Sequence, residues 1–117
     1  MSSNEELSHS LRTFADDCNA NEKLRVMNRD WNRVIHIHAE DTLADYTLTC
    51  HEGTVVYSEG TPANCDLRVA ANCEVLTQVF YGEVSPNEPY NEGTLRVDGS
   101  EDDVLRLDFI TAMLWEE

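Results

Sequence analysis

Lysine is almost missing from this chain. Lys23 is the only one in 117 residues, and the eight Lys and Arg together face 23 Asp and Glu. The resulting formal charge of −15 leaves no cluster of cations for a phosphate backbone, so nucleic acid is not an expected partner. The same charge opposes stable docking on anionic lipid and leaves at most transient membrane contact. An acidic, lysine-poor surface suits a salt-rich cytoplasm, where carboxylates stay hydrated and their repulsion is screened; we read it as a halophilic adaptation. No apolar run approaches the ~20 residues of a membrane span. The opening "MSSNEELSHSLRTF" has no basic region followed by an apolar one, so no signal peptide is expected and the predicted location is cytoplasmic. Cys18, Cys50, Cys65 and Cys73 form no C-x-x-C pair, which predicts reduced thiols serving as small apolar residues.

Reactive signatures are absent as well. There is no nucleophile elbow, no H-E-x-x-H and no glycine-rich phosphate loop. The acidic pairs Asp16-Asp17, Glu40-Asp41 and Asp102-Asp103 read as solvated surface in so acidic a chain. We therefore expect no enzyme, no catalytic residue and no cofactor. His36 and His38 fall on one strand face, and His51 falls on the same side of the next strand. Three imidazoles suit Zn²⁺ or another transition metal, but polar residues on a wet sheet face need no ligand, and no Asp or Glu stands at a fixed ligand spacing. No metal is expected.

What is present is an ordered series of amphipathic elements. The composition, 41% hydrophobic and 26% charged, is that of one globular domain spanning residues 1–117. Leu7, Leu11, Phe14 and Cys18 recur at i, i+4, i+7 and i+11, which predicts a helix over about 4–18. Leu24, Val26 and Met27 belong to a short second turn or a loop. From Trp31 the period changes to two. "RVIHIHA" sets Ile35, Ile37 and Ala39 against Val34, His36 and His38, and "ADYTLTC" groups Tyr46, Leu48 and Cys50. Glu52-Gly53 makes a tight turn into "TVVYS", with Gly53 supplying a positive φ. "CDLRVAA" alternates again, so four strands in succession predict an antiparallel meander with one wet face.

Asn72 caps a helix striped with Val75, Leu76, Val79 and Phe80, and Gly82 stops it. "SPNEPYNE" is expected to be an irregular link. "GTLRVDG" is a fifth strand. Ser100 then caps a last helix, with Asp103 three residues on as an approximate capping box. That helix carries Val104, Leu105, Leu107, Phe109, Ile110, Met113, Leu114 and Trp115, too much apolar surface for one narrow stripe. The surplus thickens a core, closes a dimer or walls a cavity for a greasy ligand.

In this order the elements resemble the sterol carrier protein 2 (SCP-2) lipid-binding family, from Trp31 to the C-terminus. The residues that carry the resemblance are Asp66, Gly82-Glu83, and "G-x-L-x-V-x-G" at Gly93, Leu95, Val97 and Gly99. Tyr90, Glu92 and Ser100 depart from the family pattern, and Tyr90 stands where it would narrow or reshape a cavity. The resemblance implies an α/β (α+β) fold, with a five-stranded, mostly antiparallel sheet covered on one face by helices over about 31–117. It implies an apolar tunnel that holds a sterol, fatty acid or other lipid without catalysis. The expected ligand-binding residues are Ile35, Ile37, Leu48 and Leu95 on the sheet, and Leu76, Phe80, Ile110, Met113, Leu114 and Trp115 on the helices. Two other readings stand beside this one. A small enzyme resembling nuclear transport factor 2 requires ionisable groups on the inner strand face, where this chain is apolar apart from Tyr46. A homodimer would use the surplus helix surface with no ligand.

Overall fold

The structure is a computed structural model that describes residues 3–115. Helix α1 (Asn4–Ala20) begins at Ser3, whose hydroxyl accepts from the Glu6 N–H at 3.1 Å. Its predicted stripe of Leu7, Leu11, Phe14 and Cys18 is wholly buried. Helix α2 (Glu22–Met27) follows at once, because the Asn21 side chain accepts from Leu24 N–H and restarts the chain as a cap.

Strands β1 (Arg33–Ala39), β2 (Ala44–His51), β3 (Thr54–Glu59), β4 (Leu67–Ala71) and β5 (Arg96–Gly99) form one sheet in the order β3-β2-β1-β4-β5. The inner face carries Ile35, Ile37, Ala39, Tyr46, Leu48 and Cys50, all buried, as the period-two pattern requires. The β2–β3 turn has positive φ at both Glu52 (50°) and Gly53 (82°), the backbone of a tight two-residue hairpin.

The expected meander fails at its fourth strand. β4 lies parallel to β1, with Ile35 opposite Leu67, rather than antiparallel to β3. Residues 60–66 carry the chain past β2 and β1, a lateral distance of about 14 Å at the usual strand spacing. Seven residues reach about 23 Å when extended, so the crossing needs no helix. It is tied at one end by Thr47, whose hydroxyl donates to the Gly60 carbonyl, and at the other by Val34 N–H, which donates to the Asp66 carboxylate. Periodicity assigns a strand its faces but not its neighbours, and so misses this step. The outer face is also drier than expected at its centre, where His36 and Thr47 are buried.

Helix α3 (Cys73–Phe80) is capped by Asn72, which accepts from Val75 N–H at 2.8 Å. The segment expected to be an irregular link contains helix α4 (Asn87–Glu92). Its prolines are compatible with a helix because both fall at the start. Pro86 is the cap and Pro89 lies in the first turn, where backbone N–H groups have no helical partner to lose. Gly93, at φ 83°, ends it. Helix α5 (Glu101–Trp115) closes the fold. Among the described residues no helix is long and apolar enough to cross a membrane.

Candidate functional site

The helix layer is filled at one end and hollow at the other. Under α1 the core is continuous, and Phe14 meets Phe80 edge-on at 5.2 Å between ring centroids. Between β4, β5, α3, α4 and α5 lies an apolar cavity of about 270 Å³. Val69 and Val97, opposite each other on β4 and β5, form one wall with Leu95. Val79 and Phe80 close the α3 side, and Pro86, Asn87 and Tyr90 the α4 side. Helix α5 contributes Val104, Leu105, Leu107, Asp108 and Thr111. The cavity opens to solvent between α4 and α5, where Tyr90 is 50% and Leu105 58% exposed. Asp108 is the one charged residue in its wall.

Two of the ten residues expected to bind ligand, Phe80 and Leu95, stand in this wall. Ile35, Ile37, Leu48, Leu76 and Ile110 are buried in the common core instead. Met113, Leu114 and Trp115 are partly buried and pack against that core. Trp115 lies against Phe14, at 5.8 Å between centroids, and over Gly82. A Cβ on Gly82 would meet the indole at 2.5 Å, and the residue's φ of 77° is itself a glycine conformation. The cavity is therefore shifted from the centre of the sheet towards its β4–β5 edge. Tyr90 belongs to it, which fits a residue set to reshape the space. The α4 contribution was hidden because its segment does not read as a helix.

A polar brace holds the start of α5 in place. Asp103 N–H donates to Ser100, as the capping box predicts. Its carboxylate is turned towards Trp31 and Arg33. It accepts from Trp31 Nε1 at 2.9 Å and from Arg33 Nε at 2.9 and 3.0 Å. Burial pushes this carboxyl up, but the bonds from Trp31, Arg33 and Ser100 outweigh it and hold the group below the usual carboxylate range. Arg33 and Arg106 lie over the Trp31 ring at 5.8 and 5.5 Å. These contacts pin α5 to the entrance of β1 and so fix one side of the cavity.

The three histidines are not gathered. His51 sits at the exposed far end of β2 beside Glu52, while His36 and His38 both bond to Asp45. The four cysteines are unpaired, and burial pushes the Cys18 and Cys50 thiols up to about 12, which keeps them protonated.

A family model described as the SCP-2 sterol transfer family matches residues 11–110. The chain belongs to that family. As an SCP-2 domain it shares its fold with solved structures of low sequence identity. The sterol carrier protein domain 2 of Helicoverpa armigera is 9% identical over all of this chain and 96% of that one, with a TM-score of 0.77. Palmitated SCP2L2 from Aedes aegypti is 15% identical over 95% of each chain, with a TM-score of 0.69. A stereoselective inverting sec-alkylsulfatase from Pseudomonas sp. is 18% identical over 80% of this chain, with a TM-score of 0.62; this SCP-2 domain spans only 14% of that enzyme. No curated protein sequence matches the chain.

Proposed function

We propose that this SCP-2 domain binds a hydrophobic small molecule, a sterol, fatty acid or other lipid, and passes it on without chemical change. The observation that carries the reading is the apolar cavity beneath α5, open between Tyr90 and Leu105. Family membership and the palmitated state of the Aedes aegypti relative support it. Each buried methylene brings about 0.8 kcal/mol, so contact alone provides a driving force. At about 270 Å³ the space lies near the lower end of small-molecule sites and holds a tail rather than a whole lipid. The head then rests at the mouth. Asp108 is the nearest charge and no cation lines the wall, which favours a neutral head over a carboxylate.

The test is native mass spectrometry of delipidated protein offered cholesterol, hexadecanol and palmitate, at low and high salt. A 1:1 complex is expected, with hexadecanol retained better than palmitate at low salt. Val97→Trp, which fills the cavity, should cut retention at least tenfold. Retention of none of the three, or equal retention by Val97→Trp, would overturn the reading.

A further inference from the structure

On the face of the sheet turned away from the helices, His36 and His38 of β1 and Asp45 of β2 converge. His36 Nε2 and His38 Nδ1 each lie 2.8 Å from the same Asp45 Oδ1. One donor atom from each residue falls within 4.8 Å of the other two. From this geometry we propose a binding site for a first-row divalent metal ion, of the Zn²⁺, Ni²⁺ or Co²⁺ class, distinct from the lipid cavity.

The β1–β2 register is what builds the trio. His38 stands directly opposite Asp45, and His36 opposite Thr47, so the three side chains project from neighbouring positions of one antiparallel ladder. The reason for setting a metal aside, that no carboxylate stands at a ligand spacing, fails once this hairpin is counted inward from Ala39 and Ala44. Asp45 takes the place that His51 was expected to fill.

Three features favour a metal over a simple hydrogen-bonded clamp. First, ligands about 2.1 Å from an ion are about 3.0 Å apart at right angles and about 3.4 Å apart in a tetrahedron, so the 2.8 Å separations from Asp45 need only a small outward movement of each side chain. Second, the trio is neither sealed nor loose. The His36, His38 and Asp45 side chains are 11%, 20% and 26% exposed, which admits an ion and its remaining waters. β1 is hydrogen-bonded to strands on both sides, so the ligands stand on rigid backbone. Third, the donor set is of the right kind. Two imidazoles and one carboxylate select borderline transition metals over Mg²⁺ or Ca²⁺, and the net charge of −15 concentrates divalent cations at the surface. Thr47 is not a fourth ligand, since its hydroxyl is committed to Gly60. Arg68 lies opposite His36 on β4, and its charge biases the ion towards the β2 side.

The test is calorimetric titration with Ni²⁺ in a Cys65→Ser background, because Cys65 is an exposed thiol that would compete. One equivalent should bind. His38→Gln and Asp45→Asn should each weaken binding at least tenfold, and His51→Gln should leave it unchanged. These two positions are chosen over buried His36 so that the fold survives, and circular dichroism without metal checks that it does. Bound Ni²⁺ should also broaden the amide signals of Asp45 and Ala70 and spare those of Glu52 and Thr54. No uptake by the folded Cys65→Ser protein at millimolar Ni²⁺ would overturn the proposal. Affinity insensitive to both substitutions, or lost with His51→Gln, would overturn it equally. None of these outcomes depends on whether the protein carries lipid.

Discussion

The two ends of the helix layer are built from similar residues and behave differently. Under α1, Leu7, Leu11 and Phe14 come from a helix of five turns whose apolar side is a single narrow stripe. That stripe meets α3 and the inner faces of β2 and β3 along its whole length, and the space fills. Under α5 the apolar residues surround the helix. Leu107 and Ile110 turn inward, while Leu105 and Phe109 remain more than half exposed. Such a helix cannot bury all of its surface against one sheet edge. A narrow stripe makes a solid interior, and a broad one leaves room beside it.

The largest expected effect tests the solid end. Leu11→Ala should cost about 3 kcal/mol of unfolding free energy in urea, because its neighbours cannot close the gap. Val104→Ala, beside the existing hollow, should cost less than about 1 kcal/mol. Equal costs would erase the contrast between the two ends.

The next effect concerns the brace that fixes the hollow end to β1. Asp103→Asn should cost about 2 kcal/mol near pH 7, since it weakens charge-assisted bonds to Trp31 and Arg33. The native carboxyl is held below its ordinary value. Its stabilisation is therefore complete above the unfolded value of about 3.9 and is lost as pH falls through the lower folded value. The gap between wild type and variant, followed by urea denaturation against pH, should stay constant from pH 7 to about 5 and close below about pH 4. A gap that persists undiminished at pH 2 would assign the loss to packing instead.

The smallest effect lies where the two ends meet. Gly82→Ala places a methyl group in the Trp115 ring at a backbone φ of 77°, and should cost about 1–2 kcal/mol. The indole signal of Trp115 should move with it in the NMR spectrum, while that of Trp31 stays. An unmoved Trp115 would show that α5 ends without closing over Gly82.

Much of this architecture can be read in the residues, and the rest fails for one physical reason. Faces are local: the alternation in "RVIHIHA" and "ADYTLTC" assigns inside and outside correctly, and so does the stripe of α1. Neighbours are not local. Nothing near β4 says that it will pair with β1, and nothing near Asp103 names Trp31 or Arg33, about seventy residues away. The family resemblance supplied the five-stranded sheet that periodicity alone could not assemble. The cavity was harder still. A void depends on how several elements fail to touch, so the same features that marked Ile35, Leu48 and Leu76 as wall also mark them as core. Asp45 was within reach, since it needed only a four-residue loop to be counted. Helix α4 is hidden because "SPNEPYNE" is rich in Pro and Asn, which suit an irregular link as well as they suit the cap and first turn that Pro86 and Pro89 occupy.

The lone parallel ladder also dictates an order of assembly. The β1–β2 and β2–β3 hairpins close over a few residues each, whereas β4 can zip onto β1 only after the chain has travelled round both. Until it arrives, the strand at the middle of the finished sheet is an unpaired edge bearing Ile35 and Ile37. For that interval the nascent chain is open to capture by a strand from another molecule, and it is the late arrival of β4 that ends the exposure.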